Sequence, residues 1–336
     1  MHRAVFIRVA FALIALTACR ADAPVAPSQP GHSDLNPNFP AELFANYTPV
    51  ELPGAGTGIV ADINDGGDAV GVADGAGAIW RGAAHTKGDL PFNPAAIAND
   101  GTIAGNLDGH AVMFRNGQLI PLDSASSTAT AICRCASETI VGSVVVNGER
   151  HAAIWVGGVR IDAGVPPGGT SSEFTGAANG HFVGNADVPT RNLNTGTIEI
   201  LQQAFSWSHD TGWHNLMAPW DLVSFVTGVN SKGFAVGGEG RVLIPDPIGV
   251  AFDTLGIISE YFGDPQLRIR IPDAINDSGT MAGNDDEVSV ALLMGLSGGA
   301  SVLPPGNTGD FATSINSSNV IGGRSGGKPV LWVPNP

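Results

Sequence analysis

Charge is scarce in this chain, and basic charge is scarcest. Only 14% of its 336 residues are charged, 16 Lys and Arg stand against 31 Asp and Glu, and the net charge is −15. That balance repels phosphate backbones, and the basic residues gather into no stripe that could neutralise one, so nucleic acid is excluded as a partner. Cysteine is nearly absent: besides Cys19 there are only Cys133 and Cys135, two sulfurs with no neighbouring His and therefore a poor zinc site. Long apolar runs are missing apart from Val9–Leu16, which is too short to span a bilayer as a mature helix. Strong helical stretches are missing as well. What abounds is glycine, 46 residues, with 23 prolines and a hydrophobic fraction of 43%. Many tight turns joining short apolar segments describe an all-β chain long enough to bury a substantial core.

One phrase recurs along the chain. Clear copies are DINDGGDAVGV at 62–72, AIANDGTIAGN at 96–106, TGVNSKGFAVGG at 227–238, AINDSGTMAGN at 274–284 and TSINSSNVIGG at 313–323. Degraded copies read AICRCASETIVGS at 131–143 and TGAANGHFVGN at 175–185. The closing glycines, Gly71, Gly105, Gly142, Gly184, Gly237, Gly283 and Gly322, fall 34 to 53 residues apart. A second phrase follows each copy, alanine-led and often ending in an aromatic residue and glycine, as in HAVMFRNG at 110–117 and HAAIWVGG at 151–158. A further short apolar segment comes next, so one repeat is four strands. Asn-Asp-Gly and Asn-x-x-Gly are expected to supply the positive φ angles of a hairpin between the first two strands. A lone unit of this kind cannot cover both faces, so the copies must stack, and closing the stack into a ring removes the unpaired ends. The last copy stops after a third strand, while TPVELPG at 48–54 resembles a fourth, its Leu52-Pro53 matching Leu303-Pro304. The expected architecture is a seven-bladed β-propeller of four-stranded antiparallel blades, closed by an N-terminal strand in the last blade. Residues 48–336 give about 41 per blade, inside the range of propeller repeats. An open β-solenoid is the runner-up.

Together the phrases A-x-x-I-N-x-x-G-x-x-V-G and H-A-x-x-W-x-x-G resemble the HAF repeat of bacterial extracellular proteins, with His110-Ala111 and His151-Ala152 keeping its start. The resemblance covers nearly all of residues 55–336 and implies export and a propeller-like fold, without implying a reaction. Several copies lack the His or the aromatic residue. At the N-terminus, Arg3, Arg8 and the apolar run suit a signal peptide over residues 1–18. Leu16-Thr17-Ala18-Cys19 resembles the lipobox of bacterial lipoproteins, which implies Cys19 as the lipid attachment residue and the membrane as a partner through that lipid. Arg20 stands where the usual inner-membrane retention signal has Asp, which points to the outer membrane or cell surface. Residues 19–45, rich in Pro and Ala, read as a tether, and 46–336 as the propeller.

The long connections are expected to share one rim, where binding residues gather on a rigid scaffold. They bring Asp187, Arg191, Trp220, Asp221, Tyr261 and Asp264 as candidates for a ligand surface; the two aromatic residues serve equally well as caps between blades. Catalytic motifs are weak. Gly295-Leu296-Ser297-Gly298-Gly299 matches a nucleophile elbow but no helix follows it. His110 and His151 read as structural partners of a neighbouring blade. Asp62, Asn64, Asp65 and Asp68 are one residue short of a calcium loop and read better as a turn. In an extended strand the Cα atoms of Cys133 and Cys135 would lie roughly 6.5–7 Å apart, the upper limit for a disulfide. Their copy is longer, however, and in an oxidising envelope a local disulfide is favoured over free thiols. No cofactor and no metal are expected. The function expected is a lipid-anchored, non-catalytic binding or scaffold module for an envelope protein or glycan. The alternative is a polysaccharide lyase or hydrolase using Asp187, Asp221 and Asp264 at the channel mouth.

Overall fold

The computed structural model describes residues 44–336 except 136–137, 193–194, 217–220, 242–247, 254–257, 261–269, 286–287 and 297–298. The strands form seven four-stranded antiparallel sheets, six of them built from four consecutive strands. The seventh joins the last three strands to the first: Tyr47–Glu51 pairs with Lys328–Pro334, from Tyr47 opposite Pro334 to Glu51 opposite Val330. The first strand of each blade is innermost, and in blades 1 to 7 these are Gly58–Ile63, Asn93–Ile97, Ser127–Ile132, Ser171–Ala178, Asp221–Val229, Arg270–Ile275 and Phe311–Ile315. Blade 7 meets blade 1, where Thr313 Oγ1 donates to Val60 O at 2.7 Å. The chain is a seven-bladed β-propeller, and the solenoid reading falls away.

The recurring Asn-x-x-Gly phrase supplies the positive φ expected of it, and its asparagine has a further task. Positive φ in these turns belongs to the fourth residue, with Gly67 at 83° and Gly279 at 84°, and Asn319 takes that place in blade 7 at 62°. Asn64 is buried. Its Oδ1 accepts from Asp68 N at 2.9 Å within the turn, while its Nδ2 donates to Ala98 O of blade 2 at 3.2 Å. Asn230 donates likewise to Asn276 O, Asn276 to Asn316 O, and Asn316 across the seam to Asn64 O at 3.1 Å. Turns with two positive-φ residues, the two-residue hairpins that suit strand twist, occur between second and third strands at Asp74-Gly75, Asp108-Gly109 and Asn147-Gly148, and between the first and second strands of blade 4 at Asn179-Gly180.

Each inner strand is interrupted by a bulge, at Ala61, Ala95, Thr130, Thr175, Thr227, Asp273 and Thr313 in turn. The closing glycine lies opposite, and it must be glycine because the bulged strand drives a carbonyl into its place. A Cβ on Gly71 would sit 2.1 Å from Ile59 O, and one on Gly142 1.8 Å from Thr128 O. In blade 7 this residue is Gly323, opposite Ala312, and not Gly322. Two glycines stand together there, and the register counted from the turn asparagine decides between them.

The core lies between blades. Val70, Ile79 and Leu90 of blade 1, for example, pack with Phe92, Ile97, Ile103 and Val112. Trp80 and Trp332 are fully buried, and each indole donates backwards to a proline carbonyl after the preceding blade's outer strand, Pro53 and Pro304 respectively. The Leu-Pro likeness at the two ends therefore reflects one shared contact. Replacing Asn316 by Ala removes both the turn bonds and the bond across the seam, and is expected to lower stability by ~1–3 kcal/mol in urea unfolding. Exposed Ser318→Ala in the same turn should stay within about 0.5 kcal/mol of the parent.

Candidate functional site

The two ends of the ring differ. Turns between first and second strands share one rim with those between third and fourth, while blade-to-blade crossings fall on the other. On the crossing rim, the segment expected as a long loop at 185–202 is an extended hairpin of blade 4. His181–Arg191 pairs with Ile198–Ser208 as far as Arg191 opposite Ile198, past the end of the inner strand, which stops at Ser171 opposite Asp187. Val188 and Thr190 are buried on one face of this arm. The other face carries Pro189 and Arg191 with Ile200 and Ile198, which are 51% and 65% exposed.

Asp187 and Arg191 therefore share the arm. Asp187 accepts from Ser171 Oγ at 2.7 Å. Beside it lies Glu173, buried and 3.1 Å from Arg150 Nη1. Burial pushes the Glu173 carboxyl up, the Arg150 guanidinium pulls it down, and the Asp187 charge pushes it up again, leaving it above the usual carboxylate range. Asp221 opens the inner strand of blade 5 opposite Arg241, and its side chain lies outside the described residues, as do Cys19, Trp220, Tyr261 and Asp264. His110 Nδ1 meets Ala125 O at 3.0 Å in the crossing to blade 3, whereas His151 Nδ1 meets Asp162 at 3.0 Å within its own blade. The expectation of a neighbouring-blade partner thus fits the first and not the second, because the outer strand of blade 3 offers a carboxylate directly alongside.

On the turn rim the seven inner strands line a central cavity of about 490 Å³. The bulged residues all face it, and threonine hydroxyls there bridge blades: Thr175 Oγ1 donates to Val226 O and Thr227 Oγ1 to Pro272 O. Asp62, Asp65, Asp273 and Asp277 make the lining acidic, with Arg134 as the described cation among them. Asp62 Oδ2 accepts from Ile97 N of blade 2 at 2.9 Å, while its Oδ1 accepts from Ile63 N at 2.9 Å and from Arg134 Nη2 at 2.6 Å. The calcium reading of Asp62 fails on this geometry, its oxygens being committed to N–H donors. Among the described residues no group of three His, Cys, Asp or Glu is placed to hold a metal.

Arg134 stands between Cys133 and Cys135, which a disulfide joins with Cα atoms 5.1 Å apart. They are closer than an extended strand allows because the strand ends at Ile132 and neither cysteine is part of it. Sequence reasoning passed over Arg134, although a charged residue replacing a small polar one in a degraded copy was the available signal.

No protein-family model matches the chain, and no curated protein does. Solved structures do. Virginiamycin B lyase from Staphylococcus aureus superposes with a TM-score of 0.58 at 12% identity, covering 85% of this chain and 98% of that one. The β-propeller domain of Cps50 (Swd1) from Myceliophteria thermophila gives 0.56 at 10%, covering 86% and 100%. The extracellular domain of BT4673 from B. thetaiotaomicron gives 0.55 at 8%, covering 86% of this chain and 40% of that one. The likeness is one of fold. Neighbours so different from one another assign no activity to this ring.

Burial would raise the Asp65 carboxyl, but hydrogen bonds from Ser317 and Asn99 and the Arg134 charge outweigh it and hold the group below its ordinary range. A lowered folded-state value stabilises above the unfolded pKa and is lost as pH falls. Asp65→Asn should therefore lower the melting temperature at neutral pH and flatten the loss of stability below pH ~4, so that the two proteins converge in acid, as read from thermal melts across pH.

Proposed function

We propose that this propeller is an exported binding module that engages an envelope protein or glycan through its crossing rim, chiefly through the blade 4 arm. One observation carries this reading. The arm extends the sheet beyond its blade and holds Ile198, Ile200 and Pro189 on an outward face, where isolated sheet edges normally carry charge. The polar residues of the repeat, in contrast, are occupied in joining blades. Arg191 adds a directional donor at the arm's tip, next to an apolar patch, a combination common at the centre of interfaces.

The second reading, a polysaccharide lyase or hydrolase, draws on Glu173 and Asp187. A buried acid whose carboxyl is pushed up beside a second carboxylate is the pairing that general acid–base chemistry uses. Arg150 at 3.1 Å offsets it by neutralising the buried charge. Incubation with acidic and neutral polysaccharides, followed by new reducing ends and by absorbance of unsaturated products, separates the two readings. Binding without turnover is expected, and turnover abolished by Glu173→Gln would replace the first reading with the second.

A glycan array and an envelope pull-down test the binding face directly. Ile198→Asp with Ile200→Asp should abolish retention of the ligand without lowering the melting temperature, and Trp220→Ala should weaken it. Retention unaffected by the arm variant would sink the assignment.

The resemblance of residues 16–19 to a lipobox supports a lipid anchor at Cys19, with the HAF-like repeats supporting export. Two or three acyl chains hold a protein on a membrane where one holds it marginally. Metabolic labelling with a palmitate analogue is expected to mark the wild type and not Cys19→Ala, which should leave the membrane fraction. Equal membrane association of both proteins counts against the anchor.

A further inference from the structure

We propose that Arg134, aimed by the Cys133–Cys135 disulfide, is a stopper that closes the turn-rim mouth of the channel over blades 7, 1 and 2. The idea goes beyond the binding role and does not depend on it. In the other turns of the ring the described bonds stay within a blade or join neighbouring blades. Arg134 belongs to blade 3, yet its Nη1 donates to Ile315 O of blade 7 at 3.0 Å, and its Nη2 donates to Asp62 Oδ1 and Ile63 O of blade 1. In a ring of seven, no two blades stand farther apart than the third and the seventh. The side chain therefore crosses the lumen.

Both ends of this crossing are fixed. At the far end three acceptors take the guanidinium, one of them charged, and Asp62 is itself pinned by two backbone N–H groups from different blades. Charge-assisted bonds of this kind are roughly twice as strong as neutral ones. At the near end the disulfide narrows the turn, Cys133 is buried, and its sulfur accepts from Asn179 N of blade 4 at 3.3 Å. A residue so held at its base loses little further freedom in reaching across, which favours the crossed state.

The wall beneath supplies the reason for a stopper. On the side of blades 1 and 2 the same cavity is lined by Ala61, Ala95 and Ala96, small side chains that fill little of the lumen. Across the lumen, blades 5 and 6 present Ser231, Asp273 and Asp277 to the same cavity without a crossing side chain among the described residues. The mouth is thus divided into a covered half and an open half.

Reporter cysteines in the full chain test this. Ala95→Cys lies in the covered half and Ser231→Cys in the open half, and N-ethylmaleimide uptake is read by mass spectrometry on the peptide that contains each reporter, so other cysteines do not interfere. Uptake at residue 95 should be slow in the parent and should rise about tenfold or more with Arg134→Ala, and also with Cys133→Ser plus Cys135→Ser, while uptake at residue 231 stays constant. Unchanged uptake at residue 95 in Arg134→Ala overturns the stopper. Equal acceleration at both reporters also overturns it, because the ring would then have loosened as a whole. Acceleration with Arg134→Ala but not with the serine pair overturns the part given to the disulfide.

Discussion

Each blade of this ring ends at its inner strand, and the polar atoms on that strand's free edge point into a crowded interior. Buried backbone groups need partners, and no further strand is available to supply them. Side chains of the neighbouring blade do so instead. Asn106 grips Ala129 by both N and O, and Asn185 and Asn284 do the same to Val226 and Ala312. Ser127 and Ser172 accept from Ala111 N and Ala152 N of the blade before. The turn asparagines add a relay around the rim. The ring's specificity comes from these directional bonds, and its bulk stability from the aliphatic layers between blades.

This constraint explains which deviations carry information. A copy that keeps the asparagine is doing structural work, whereas one that loses it has been released from that work. Blade 3 has Cys133 at the turn position and an arginine beside it that leaves the relay and crosses the lumen. Blade 4 closes its first hairpin with Asn179-Gly180 and lengthens its second and third strands into the arm. The two features that set this propeller apart in chemistry fall in the two degraded copies.

Much of the architecture was legible because it is periodic. Tight turns, apolar segments, a leftover strand at one end and a unit one strand short at the other leave a closed ring as the arrangement that buries the segments and pairs both ends. The borrowed strand was readable from Leu52-Pro53, since its twin, Leu303-Pro304, stands in the same place before a buried tryptophan. The asparagine was read only in part because a turn residue suggests backbone conformation first; that its amide serves the next blade depends on a contact 34 residues away. The last glycine was misplaced by one because two glycines stand together; counting from Asn316, as from Asn276 to Gly283, gives Gly323, and its pairing with Ala312 agrees.

The candidate site was less legible. Asp187 and Arg191 were found as polar residues in a supposed loop, whereas β pairing holds them on a stiff arm. Asp62 was read as part of a turn, and its bonds to Ile97 N and Arg134 were not foreseen. Sequence alone determined the number of blades, their strand content and the closing strand, because these follow from local turn chemistry repeated at intervals. Only the tertiary structure decided that residues 62, 134 and 315 meet across the channel, because that meeting depends on the ring's diameter and on where each turn points, and neither quantity is written in any single repeat.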